Sequence, residues 1–121
     1  MTRLRLRILF GDAMLGPGKA ELLERIRDTG SIAAAGRQMD MSYKRAWMLV
    51  EEMNAAFQAP LVASSRGGPG GGGASLTEAG AEVLRLYHGI VATAQQATAG
   101  DIGALEAMLR APGDGDISGQ K

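Results

Sequence analysis

Polar and apolar positions alternate at the start of the chain. Arg3, Arg5 and Arg7 fall between Leu4, Leu6, Ile8 and Phe10. A period of two marks a strand with one buried face, and the arginines read as its solvated side. Gly16-Pro17-Gly18 breaks the pattern. Over residues 19–29 the period becomes helical, with Leu22, Leu23 and Ile26 on one face and Gly30 placed to stop the helix. Ser31 suits the cap of a short second helix over residues 32–38, with Ile32, Ala35 and Met39 as its apolar face. The small residues Ala33, Ala34, Ala35 and Gly36 let another helix approach closely. Met39-Asp40-Met41 leaves room only for a tight turn. Ser42 then caps a third, longer helix that runs to about Phe57. Ala46, Leu49, Val50, Met53 and Phe57 form its stripe, Lys44, Met48 and Glu51 lie opposite, and Arg45 and Trp47 lie on the flanks.

Pro60 ends this run, and residues 61–65 are strand-like. Residues 66–75, RGGPGGGGAS, hold six glycines and a proline, with almost nothing to pack. A short strand-like Ala74-Ser75-Leu76 follows, and Thr77 caps the longest helix, with Glu78 in its first turn, running to about Ala97. Val83, Leu84, Tyr87, Ile90, Val91 and Ala94 make a broad apolar face, and Leu86 lies outside it. A band this wide suits two partners, the core and a second subunit; the core alone is the alternative. Residues 101–110 read as a weak last helix and residues 112–121 as disordered. The expected organisation is one folded domain over residues 1–100 and a tail over 101–121.

Composition narrows the function classes. Apolar residues make up 45 % of the 121 and aromatics 4 %, which suits one aliphatic core. No cysteine is present, so disulfides, thiolate metal sites and cysteine nucleophiles are excluded. His88 is the single histidine, so a multi-histidine zinc site is excluded too. It reads as a structural residue, and Glu51-Glu52 as a solvated pair. No apolar run approaches the ~20 residues of a membrane span, and the expectation is a soluble, cytoplasmic protein. The formal net charge is zero, so any attraction to a polyanion has to be local.

The glycine segment lacks the Gly-Lys-Ser/Thr ending of a phosphate loop, and no polar constellation suggests an enzyme. The informative unit is the short helix, the turn and the longer helix, which have helix-turn-helix spacing. The second of these helices opens with Ser42-Tyr43-Lys44-Arg45-Ala46-Trp47. Hydroxyls and cations in the first turn of such a helix can reach base edges and phosphates. A plain helical hairpin with a polar end is the alternative. The downstream order of strand, glycine-rich tip, strand and long helix is that of a winged helix. Glycines such as Gly70 and Gly71 would let backbone N–H groups come close to phosphates, and Arg66 would supply a cation at the loop base. The expected fold is mainly α with a small β wing, a winged helix-turn-helix with a long C-terminal dimerisation helix. No cofactor or metal is expected. The candidate DNA-binding residues are Arg37, Ser42, Tyr43, Lys44, Arg45, Trp47, Arg66, Gly70 and Gly71. The candidate dimerisation residues are Val83, Leu86 and Ile90.

Gly30-Ser31-Ile32, Ser42-Tyr43-Lys44-Arg45-Ala46-Trp47, Glu52-Met53-Asn54, the glycine run 67–74, Leu76-Thr77 and Gly80 together resemble the N-terminal DNA-binding domain of the ModE family. These are bacterial molybdate-dependent regulators related to the LysR-type winged helix. The similarity spans residues 9–97. It implies a homodimer on a palindromic operator of double-stranded DNA, with the long helix contributing to dimerisation. It also places Ser42, Tyr43, Lys44, Arg45 and Trp47 on or beside the recognition surface. The family's oxyanion-binding Mop-type domains have no counterpart in the residues after 97. The expectation is therefore a stand-alone regulator, linked to molybdenum-related genes, that does not sense molybdate itself. The alternative is a winged-helix interaction module serving another regulator.

Overall fold

The structure, a computed structural model, describes residues 2–65 and 73–111. The expectations for Arg66, Gly70, Gly71 and the last ten residues lie outside that range. Strands β1 (Ile8–Phe10) and β2 (Ala13–Leu15) pair as an antiparallel hairpin, Ile8 opposite Leu15 and Phe10 opposite Ala13. Gly11 turns it in the left-handed region, φ 67°. The strand is thus shorter than the alternation from Arg3 to Phe10 suggested. Its partner has only three residues before a helix begins at Pro17, so nothing remains to pair with residues 3–7. The alternation of exposure nevertheless continues, with the arginines out and Leu4, Leu6 and Ile8 half-buried.

Helix α1 (Pro17–Thr29) starts on Pro17, where a missing N–H costs nothing. It ends on Gly30, left-handed at φ 71°, whose N–H donates to the Ile26 carbonyl at 2.8 Å. Helix α2 (Ile32–Gln38) is capped by Ser31 and helix α3 (Tyr43–Ala56) by Ser42. Strands β3 (Val62–Ser64) and β4 (Ala74–Leu76) pair antiparallel, Val62 opposite Leu76 and Ser64 opposite Ala74. Helix α4 (Glu78–Ala107) follows. The fold is therefore the expected mainly helical one with a small β wing.

The core is aliphatic. Leu22, Leu23 and Ile26 of α1, Val50 and Met53 of α3, and Leu61 are fully buried. Burial of a side chain of this size contributes about 1.5–3 kcal/mol. Leu84 and Tyr87 close the core from α4. The Tyr87 hydroxyl donates to the Leu6 carbonyl at 2.6 Å, tying the N-terminal segment to α4. Its pKa is pushed up by burial, with Arg5 nearby acting the other way.

Residues 60–62 hold the helices and the wing in register. Asn54 Oδ1 accepts the N–H groups of Leu61 and Val62, and its Nδ2 donates to the Val62 carbonyl. The Thr77 N–H donates to the Leu61 carbonyl, and the Thr77 hydroxyl donates to that of Pro60 while accepting the Gly80 N–H. Gly80 lies directly against the Leu61 carbonyl, where a Cβ would overlap the oxygen.

Two helical expectations change. The long helix does not stop near Ala97 with a separate weak helix after it; α4 is continuous to Ala107, through the expected boundary at residue 100. Gly100 and Gly103 weaken a helix by only about 1 kcal/mol each, and no proline interrupts this stretch. Ile90 belongs with the exposed residues, not with the inward face: it is 46 % exposed, beside Leu86 at 49 %. Leu84 and Tyr87 alone of the expected broad face are buried, and Val83 and Val91 pack partly against the core. Contacts divide the chain into two units, Met1–Val91 and Ala92–Lys121. The first holds the whole helix-turn-helix and wing base; the second contains the end of α4, with Leu105, Met108 and Leu109 exposed.

Candidate nucleic-acid interface

The geometry of α2 and α3 begins with two serine caps. Ser31 Oγ accepts the Ala34 N–H at 3.0 Å, and Ser42 Oγ accepts the Arg45 N–H at 3.1 Å. Between the helices the chain reverses at Asp40, φ 59°. An aspartate tolerates this left-handed conformation better than most residues do. The Met41 N–H donates back to the Gly36 carbonyl at 2.9 Å, closing the turn. Gly36 permits the close approach anticipated from the small-residue run: a Cβ there would lie 3.0 Å from that of Ala46.

Ala46, Val50 and Met53 then bury one side of α3 and so fix what faces outward. Tyr43, Lys44 and Arg45 are exposed in its first turn, with Ser42 just ahead and Arg37 exposed near the end of α2. Among the described residues, the ion pairs involve Lys19 with Glu52, Arg25 with Glu21, Arg27 with Asp28, Arg85 with Glu82, and His88 with Glu24. Arg37, Lys44 and Arg45 take part in none of them. Their charge is available to a ligand. The Ser42 hydroxyl is engaged as an acceptor, and its hydrogen is left to donate.

Trp47 is half-buried and packs partly on the core. Its ring is parallel to that of Tyr43, centroids 6.4 Å apart and planes 8° apart. This pair forms one wall of an open concavity of about 360 Å³. Ser31 and Ile32 at the start of α2 form another wall, and Ser64, Ser65, Gly73 and Ala74 at the wing base complete it. The Ser65 N–H donates to the Gly73 carbonyl at 2.8 Å, and the Gly73 N–H donates to Ser65 Oγ at 3.1 Å. The Ala74 N–H donates to the Gly30 carbonyl, docking the wing on the end of α1.

Ser42, Tyr43, Lys44, Arg45 and Trp47, expected from the sequence to contact DNA, lie together at the start of α3, and Arg37 lies near the end of α2. Sequence reasoning missed Ser31, Ser64, Ser65 and Gly73 as lining residues. Hydroxyls flanking a glycine run were the available signal. Of the expected dimerisation residues, Leu86 and Ile90 are exposed on α4 and Val83 is half-buried against the core. Asn54 braces the strand entry at residues 60–62, and Thr77, besides accepting the Gly80 N–H at the start of α4 as expected of a cap, donates to the Pro60 carbonyl. Glu52 is paired with Lys19 at 3.2 Å and is not simply solvated. His88 lies against Glu24, linking α4 to α1. Among the described residues no group of three or more His, Asp or Glu side chains is placed to hold a metal, and no helix is long and apolar enough to cross a membrane.

Comparison with known proteins matches this architecture. The chain is 45 % identical to the molybdenum-pterin-binding protein MopB of Rhodobacter capsulatus over 80 residues, 66 % of this chain and 30 % of that protein. It is 41 % identical to the transcriptional regulator ModE of Yersinia pestis over 88 residues, 73 % of this chain and 32 % of that one. The DNA-binding transcriptional dual regulator ModE of Escherichia coli is 40 % identical over a stretch of the same coverage. The chain thus spans about a third of the length of these relatives. Residues 18–81, from the start of α1 to the start of α4, match the family described as bacterial regulatory helix-turn-helix protein, lysR family, and the chain belongs to that family.

Proposed function

We propose that this protein is a DNA-binding transcription regulator of the ModE type, not an enzyme, that reads a palindromic operator as a homodimer. The observation that carries the reading is the first turn of α3. It presents Lys44 and Arg45 without a carboxylate partner among the described residues, beside a hydroxyl and an aromatic pair, on a helix whose other side is buried. Cations and hydroxyls at this end of a recognition helix meet guanine acceptors and phosphates. The wing, with Arg66, Gly70 and Gly71, would lie along the backbone. Leu86 and Ile90, one helical turn apart and exposed, are the side chains we assign to the dimer contact.

The names of the relatives connect the regulated genes to molybdenum. The concavity between α2, α3 and the wing base is open and lined by hydroxyls and rings, with no cation among its described lining residues. An oxyanion site needs converging donors or cations, so we do not assign molybdate sensing to it. Selection of bound sites from a random duplex pool, with and without molybdate, tests the reading. An inverted-repeat consensus that is the same in both arms is the expected result. Absence of any enriched site would overturn the DNA-binding assignment, and a saturable calorimetric signal for molybdate but not sulfate would overturn the assignment without a sensor.

A further inference from the structure

We propose that α3 reads bases beyond its first turn: in each half-site Met48 takes the C5-methyl group of a thymine, and Glu51 accepts from the amino group of a cytosine. The inference rests on the DNA-binding reading above and names the bases that the same helix selects.

The packing of α3 brings both residues to the face that carries Lys44. Ala46, Val50 and Met53 are buried, and Trp47 and Leu49 pack partly on the core. Met48 alone of the apolar side chains from Ala46 to Met53 stays outside it, 47 % exposed. At about 100° per residue, Met48 and Glu51 lie within about 40° of Lys44 around the helix axis, and the three buried residues lie about 180–240° from it. Lys44, Met48 and Glu51 are all exposed. One outward line therefore leads from the first turn along α3, rising about 6 Å from Lys44 to Met48 and about 10.5 Å to Glu51. Base pairs are stacked about 3.4 Å apart. A recognition helix in the major groove carries such a line past successive pairs, so the thymine lies nearer the Lys44 contact than the cytosine.

Chemistry decides which bases. In the major groove the thymine methyl is the apolar feature, and apolar side chains contact it. Methionine is flexible and polarizable, so it adapts to a small apolar group. Met48 also shares an open depression of about 390 Å³ with Trp47, Glu51 and Glu52. A ring and a thioether beside carboxylates suit a methyl group next to an N–H donor.

The two carboxylates are not equivalent. Glu52 is paired with Lys19. The Glu51 side chain takes part in no ion pair or hydrogen bond among the described residues. An ionised carboxylate only accepts, and phosphates repel it. It favours DNA only where a base donates to it. Cytosine N4 donates, whereas guanine O6 and N7 and thymine O4 are acceptors. The adenine amino group stands beside an N7 acceptor, which opposes the second carboxylate oxygen.

The test is selection of bound sites from a random duplex pool by the full chain, by Met48→Ala, by Glu51→Ala and by Lys44→Ala/Arg45→Ala. Met48→Ala should lose a thymine preference at one position of each half-site. Glu51→Ala should lose a cytosine preference farther from the Lys44 contact and bind random duplex more tightly. Glu51→Lys should move that preference to guanine, whose O6 and N7 accept. Replacing the thymine by deoxyuridine removes only its methyl group. This should weaken the wild type about four-fold, the equivalent of ~0.8 kcal/mol for one buried carbon, and leave Met48→Ala unchanged. Exchanging the C·G pair for T·A should cost the wild type about five-fold or more, and Glu51→Ala much less. A wild type indifferent to deoxyuridine at every thymine of the site overturns the Met48 assignment, whether or not Met48→Ala folds. A cytosine preference kept by both Glu51→Ala and Glu51→Lys overturns the Glu51 assignment. If Lys44→Ala/Arg45→Ala abolishes enrichment while these effects are missing, the recognition-helix reading stands alone and the depression is left to a protein partner. If that double variant also selects as the wild type does, both readings fall.

Discussion

The two ends of α3 are built in opposite ways. At its C-terminal end nearly every group is committed to the protein. Met53 is buried, Asn54 makes hydrogen bonds to both Leu61 and Val62, Glu52 meets Lys19, and Phe57 meets Phe10. At its N-terminal end Tyr43, Lys44 and Arg45 are exposed, and the two cations are without ionic partners among the described residues. A helix anchored at one end and bare at the other can present side chains rigidly to a ligand. Preorganisation of that kind reduces the entropy lost on binding. The contrast also sorts the residues that carry the resemblance. Ser42 to Arg45 belong to the bare end, while Asn54, Thr77 and Gly80 belong to the anchor.

Changes at the anchored end should cost stability, and changes at the bare end should cost binding. The largest effect is expected for Gly80→Ala. Its methyl group would collide with the Leu61 carbonyl, which is backbone and cannot rotate away. A loss of about 3 kcal/mol or more in denaturant unfolding is expected; a loss under 1 kcal/mol would show that α4 shifts without penalty. Asn54→Ala comes next. It leaves the N–H groups of Leu61 and Val62 without their acceptor, and should destabilise by about 2–3 kcal/mol. Operator affinity measured well below the melting temperature should stay close to wild type.

Lys44→Ala inverts this pattern. Thermal unfolding should be unchanged, and operator binding should weaken by about 1–3 kcal/mol if Lys44 meets a base, with less loss on random duplex. Equal loss on both would assign Lys44 to phosphate, and no loss from Lys44→Ala and Arg45→Ala together would remove the recognition surface. Ser42→Ala should be the mildest and should touch both properties. Loss of the cap on the Arg45 N–H costs about 1 kcal/mol of stability, and binding falls only through the missing hydroxyl. A calorimetric melt and a titration on one sample separate the two contributions.

Much of this was legible in the chain because it depends on neighbours in sequence. Serine caps, the stop at Gly30 and the buried stripe of α3 are local or periodic features. They placed α1, α2 and α3 within two residues of where they lie. Ser42, Tyr43, Lys44 and Arg45 follow at once, since a helix with one buried stripe exposes the rest. The hairpin partner at Ala13–Leu15 was not legible, because three residues carry too short a pattern. The end of α4 was misplaced because glycine alone is a weak stop signal.

What the sequence by itself determined, then, is helices α1 to α3, their order, and the outward chemistry of the first turn of α3. Tertiary structure decided how those pieces meet. It brought Ser31, Ser64 and Ser65 to one concavity with Trp47, sent Asn54 to residues 60–62, turned Ile90 outward, and tied Leu6 to Tyr87 across 81 residues of chain. The physical reason is range. Caps and periodicity act over three or four residues. Contacts between distant segments depend on close packing such as that of Gly80 on the Leu61 carbonyl, which no local pattern encodes.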